Sequence, residues 1–187
     1  MVGRRLYALD FTGAGTFAGL AKAVRAAIDE NEAAGRVVAG NNRKFADPHL
    51  PEASAIDPRP LDDVLAMRAT ISGGVYKAAI GRKALLGGEQ IGREMGMSTW
   101  ISISGTNNKA LAHGELLATY DELQNVLKAF RSRGASVVSI RNHSCGEHPE
   151  MIYVRYWKEG QALELAKSLR FVLEVQVGNI ELKPGRR

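Results

Sequence analysis

Residues Val137 to Trp157, VVSIRNHSCGEHPEMIYVRYW, decide how the rest of the chain is read. They spell a strand, a short polar loop and a returning strand. Successive side chains of a strand alternate between its two faces. Val138 and Ile140 therefore point one way and Arg141 and His143 the other. On the return, Ile152, Val154 and Tyr156 share one side while Tyr153, Arg155 and Trp157 share the opposite one. One face of the hairpin is apolar. The other gathers two arginines, a histidine and two aromatics, as a binding surface does.

Working outward, a helical stripe precedes the hairpin, with Leu123, Val126, Leu127 and Phe130 inward, Thr119 or Asp121 as its cap and Gly134 as its stop. A second helix follows from about Gln161 to Glu174, burying Leu163, Leu165, Ala166, Leu169 and Val172 or Leu173. Upstream, Val75–Ile80 reads as a short strand and residues 81–97 as glycine-rich and irregular. Thr99–Ser104 alternates cleanly, and after the turn GTNNK the segment Ala110–Ala118 sets Leu111, His113, Glu115 and Leu117 on one face. The order is three strands, helix, two strands, helix. Two amphipathic helices cover one face of a sheet, so the expected fold is an α/β (α+β) two-layer sandwich: a mixed sheet with both helices on one side and the other side open. Ile101, Ile103, Val138, Ile140, Ile152 and Val154 should lie under the helices. Trp100, Ser102, Ser104, His113, Glu115, Arg141, His143, Tyr153, Arg155 and Trp157 should line the open face.

The N-terminal part reads as strand 6–11, a glycine turn and a helix with Phe17, Leu20, Ala21, Val24, Ala27 and Ile28 on one side. GAGTFAG from Gly13 lacks both the full dinucleotide glycine pattern and the lysine-serine pair of a phosphate loop, so it is a plain turn. Leu6-Tyr7 with Phe11, then Leu20 to Arg25, parallels Ile152-Tyr153 with Trp157, then Leu165 to Arg170. This marks residues 1–30 as a partial copy of a unit present whole at 66–178. Residues 31–65, broken by Gly35, Gly40, Asn41, Asn42 and four prolines from Pro48 to Pro60, form the linker, and 179–187 a basic tail.

The 187 residues carry 25 Lys and Arg against 20 Asp and Glu, a net charge of +5 that favours anionic ligands and names none. No tract approaches the roughly 18 apolar residues of a membrane span. MVGRRLYALDF contains no export signal, so the chain as written is expected in the cytoplasm; a true start further upstream would make it secreted or a lipoprotein. The single Cys145 rules out an internal disulfide, and nothing in its spacing ties it to a base that would make it a nucleophile.

SGGVYKAAIGR from Ser72, MGMSTW from Met95, AHGELL from Ala112, DELQNVLKAFRSRG from Asp121 and the hairpin together resemble the LppY/LpqO family of bacterial proteins, over about residues 45–175. The resemblance implies tandem copies of one unit, often behind an export or lipoprotein signal, and no settled activity. It also implies histidines where this chain has Arg141 and Arg155, with His143 kept.

Two chemistries suit the residues of the open face. Imidazoles and a carboxylate on adjacent strands, His113, Glu115 and His143 with His148 from the loop, could take up a divalent metal, with Glu115 or His143 as general base. Arginines repel a cation, however, and Arg141 with Arg155 can instead grip a carboxylate or phosphate beside the flat walls of Trp100, Tyr153 and Trp157. A small anionic ligand is therefore the expectation, with no cofactor required and the metal enzyme as its alternative; Arg141 and Arg155 held by Glu115 in a polar network is the purely structural possibility. Nucleic acid is disfavoured because the aromatic-glycine signature of RNA-binding sheets is missing. Homo-oligomer formation is expected, because the open face and the partnerless strand at 6–11 would leave apolar surface and strand edges to cover.

Overall fold

The computed structural model describes residues 13–38 and 53–178. The chain divides into two compact units, Met1–Asp47 and Pro48–Arg187. In the first, Thr16 accepts a hydrogen bond from the Gly19 N–H at the start of helix α1, Phe17–Val38. The stripe of Phe17, Leu20, Val24 and Ile28 lies exposed along it. The helix continues into the stretch read as the beginning of the linker; along it Arg25 pairs with Asp29 one turn on and reaches Glu32 at 3.8 Å. The strand at 6–11, the linker residues from Gly40 to Pro51 and the basic tail lie outside the described residues.

In the second unit Pro58 and Pro60, taken from the sequence as breakers, instead open the short helix α2, Arg59–Leu65, a position where proline costs no hydrogen bond. Leu61 and Leu65 enter the main core. Strands β1 (Thr70–Ser72) and β2 (Val75–Gly81) form a hairpin through Gly73 and Gly74, both at positive φ. A side chain at Gly74 would strike the Ser54 carbonyl, 1.8 Å from where its Cβ would stand. The unit continues with β3 (Ala84–Leu86), β4 (Glu89–Ile91), β5 (Ser98–Gly105), β6 (Ala110–Thr119), α3 (Tyr120–Ser132), β7 (Ser136–Asn142), β8 (Glu147–His148), β9 (Met151–Gly160) and α4 (Ala162–Gln176).

Six strands make one sheet in the order β1-β2-β5-β6-β9-β7. Every neighbouring pair in it is antiparallel. Helix α3 supplies the expected crossover but lands one strand further out: β9 returns between β6 and β7, so those two run parallel without touching. The two-layer α+β sandwich forms as expected, with α3 and α4 on one face and α2 packed beside α4. Its core joins Tyr76, Ile101, Ile103, Leu116 and Val154 from the sheet to Val126, Phe130, Leu165, Leu169 and Val172 from the helices. Phe130 stacks on Tyr156 at 4.4 Å. Tyr156 fits because Gly114 is opposite: a Cβ there would stand 2.8 Å from the phenol oxygen and 2.3 Å from the Trp100 carbonyl.

Two expectations fail here. Residues 81–97 are not irregular: β3 and β4 form a hairpin over Gly87-Gly88 and join β8 in a three-stranded sheet. This small sheet closes a second core on the other face, made of Ala84, Ile91, Met97, Leu117, Met151 and Tyr153. Three-residue strands are too short to show an alternation in sequence. Second, Val138 and Ile140 are not buried under helices but 57% and 48% exposed. Strand β7 is the sheet's edge, with a neighbour on one side only among the described residues, and its register shifts between Val137 and Ser139. Val138 is the extra residue of that bulge, and the strand beyond it changes phase.

Candidate functional site

Antiparallel register lays the open-face residues in rows across the strands. One row runs Ala79, Trp100, Glu115, Arg155, Ser139; the next runs Lys77, Ser102, His113, Trp157, Ser136. Directly opposed residues share a face and touch, so the alternation seen in sequence brings Trp100, Glu115 and Arg155 together. Glu115, 5% exposed, is the centre. Its Oε1 accepts from Arg155 Nε at 2.9 Å and lies 2.7 Å from Arg155 Nη2. Arg141 Nη2 donates to both oxygens at 3.3 and 3.4 Å, and Trp100 Nε1 to Oε2 at 3.3 Å. The Arg141 guanidinium also lies over the Tyr153 ring, 4.5 Å from its centre. Four donor contacts from two arginines and an indole hold this buried carboxylate in one orientation.

The second row is the accessible one. His113 meets the edge of Trp100 at 5.0 Å, and Lys77 lies 5.3 Å from the centre of the Trp100 ring. Desolvation, then the nearby Arg155 charge, lower the His113 pKa below the ordinary histidine value, with Glu115 pulling weakly the other way. His113 is thus favoured as a neutral imidazole able to donate from one nitrogen and accept at the other.

His143 is turned to different company. Its Nδ1 lies 2.5 Å from Glu147 Oε2 and its Nε2 3.0 Å from the Met95 carbonyl. Glu147 is fully buried and also accepts from the backbone N–H groups of Ser144 and Met151. Tyr153 donates its hydroxyl to the Gly96 carbonyl. These bonds tie the hairpin loop to the turn before β5, beneath the small sheet. So the proposed trio of His113, Glu115 and His143 does not converge: Glu115 is taken by arginines and His143 by Glu147. Among the described residues no group of three or more His, Cys, Asp or Glu side chains is placed to hold a metal ion. His148 is exposed on β8, and Cys145 is exposed in the loop. Glu147, like His148 a loop residue in sequence and there a candidate contributor to the metal site, is instead the buried partner of His143, and the four-residue spacing between the two is the sequence signal for that pair.

A feature with no sequence signature lies on the helix side, where β2, α2 and the end of α4 enclose a cavity of about 360 Å³. Leu65, Met67, Ile80, Arg82, Leu173 and Gln176 are among its lining. None of the open-face residues reaches it.

No curated protein and no solved structure matches this chain. A protein-family model does, over residues 59–175, from the first residue of α2 to within one residue of the end of α4. The match spans both sheets, the second core, all of the main core but Ile56, and every residue of the Glu115 network, and the chain therefore belongs to the family described as Domain of Unknown Function (DUF1259).

Proposed function

We propose that this is an LppY/LpqO-like binding domain that holds a small anionic molecule on the accessible row of its open sheet face. The observation that carries the proposal is the charge balance on that face. Lys77, Arg141 and Arg155 stand against the single central carboxylate of Glu115, with Glu159 one row beyond Trp157 at the far end. Because Glu115 occupies the inward donors of both arginines, the anion meets the outward edge of Arg155 together with Lys77, His113 and the Ser102 hydroxyl. Trp100 and Trp157 flank it as flat apolar walls. A partly desolvated excess of positive charge costs stability until an anion neutralises it.

Inorganic phosphate and a dicarboxylate are the probes. At matched ionic strength each should raise the melting temperature in proportion to log concentration once the site fills, as for any ligand bound by the folded state alone. Lys77→Met and Trp157→Ala should each flatten that rise. A parent chain whose melting temperature ignores both anions overturns the proposal.

A further inference from the structure

We propose that two copies of this chain join edge to edge through β7, forming a twelve-stranded sheet across a two-fold axis at Ile140. The two edges of the six-stranded sheet differ. Strand β1 is only three residues long, which blunts it as a template for pairing. Strand β7 has seven residues and, among the described residues, no strand on its outer side. Natural edges are protected by lysine, proline, bulges or cover. The bulge at Val138 protects the first part of β7, but from Ser139 to Asn142 there is no such device. The one charged side chain of the strand, Arg141, is directed to Glu115. Alongside lie Val137, Val138, Ile140 and Tyr120, 38%, 57%, 48% and 53% exposed, an apolar strip in the place where the sequence pattern called for buried residues.

The backbone fixes the register. His143 donates its N–H to the Met151 carbonyl, so residues 143, 141 and 139 direct their polar groups at β9. Ile140 and Asn142 direct theirs away, as alternation in an antiparallel ladder requires. A second strand must bond to those outward groups. Two identical edges related by a two-fold axis necessarily run antiparallel. With Ile140 on the axis, Ile140 faces its own copy, Arg141 faces Ser139 and Val138 faces Asn142. Ile140 meets its own apolar side chain and no like charges are opposed, which is what a self-pairing strand needs and a heterologous partner would not impose.

Light scattering on the full chain at tens of micromolar should give twice the monomer mass. Ile140→Pro removes only an outward N–H, an allowed change on an edge strand; it and Ile140→Lys should each weaken the dimer at least tenfold while keeping a cooperative melt. Ile140→Cys, in a Cys145→Ser background, should oxidise to a disulfide-linked dimer, because residues in a hydrogen-bonded antiparallel pair sit about 5.5 Å apart at Cα, inside the roughly 4.4–6.8 Å a disulfide spans. A monomeric parent overturns the proposal. So does a dimer that survives both Ile140 substitutions and gives no cross-link, since that contact would lie elsewhere.

Discussion

Glu115 is the residue on which the open face depends. Alternation along β6 puts it there, and cross-strand register gives it Trp100 on one side and Arg155 on the other. Arg155→Leu leaves this 5% exposed carboxylate with only Arg141 and the Trp100 indole. Breaking a buried ion pair from one side typically costs about 3 kcal/mol or more. Chemical denaturation should show a loss of that size, and Glu115→Leu added to Arg155→Leu should recover part of it, because the stranded charge is then gone. A single variant as stable as the parent would mean that the pair carries no structural weight. Measured without added anion, the substitution tests the network alone, while anion binding is reported by Lys77 and Trp157.

At the level of elements, α3 begins where its sequence says it should. Thr119 Oγ1 accepts from the Glu122 N–H at 3.4 Å, and Glu122 Oε2 accepts from the Thr119 N–H at 2.9 Å, a reciprocal capping box. Thr119→Ala should cost about 1 kcal/mol, measured as a lower denaturation midpoint with an unchanged slope. Thr119→Ser should restore most of it; equal losses in the two variants would assign the effect to packing rather than to the cap.

At the scale of the whole molecule, Glu122 ties together three separate segments. Arg82 at the end of β2 donates to both of its oxygens at 2.5 and 2.9 Å, and Gln176 near the end of α4 donates to Oε2 at 2.8 Å. Burial pushes its pKa up, but the Arg82, Gln176 and Thr119 donors outweigh it and hold the group below the usual value of 4.5. A carboxyl with a depressed folded pKa contributes stability that is present above its unfolded pKa and lost as pH falls through the folded one. Thermal melts should therefore decline as pH drops below about 4.5, and Glu122→Gln should start lower and decline less. Parallel profiles for the two proteins would show that other groups govern the acid limb.

Much of this fold is local and so legible in sequence. Strand alternation in Thr99–Ser104 and Ala110–Ala118 put Ile101 and Ile103 in the core and Trp100, His113 and Glu115 on the other face. The periods of 2 and 3.6 report burial directly wherever an element is long enough and has neighbours on both sides. The helical periodicity of residues 120–132 and 162–176 likewise announced the layer above the sheet. What the sequence left open required partners distant along the chain. The exposure of Val138 and Ile140 follows from β7 being an edge, which no local pattern encodes. The hairpin at 84–91 gains its stability from β8 and from a core completed by Leu117, Met151 and Tyr153. The same holds for the polar residues: His113, Glu115, Arg141, His143 and Arg155 were all visible as chemistry. Register alone gave Glu115 to the arginines and His143 to Glu147, because hydrogen-bond partners are chosen by positions in space a few ångströms apart that the order of residues does not fix.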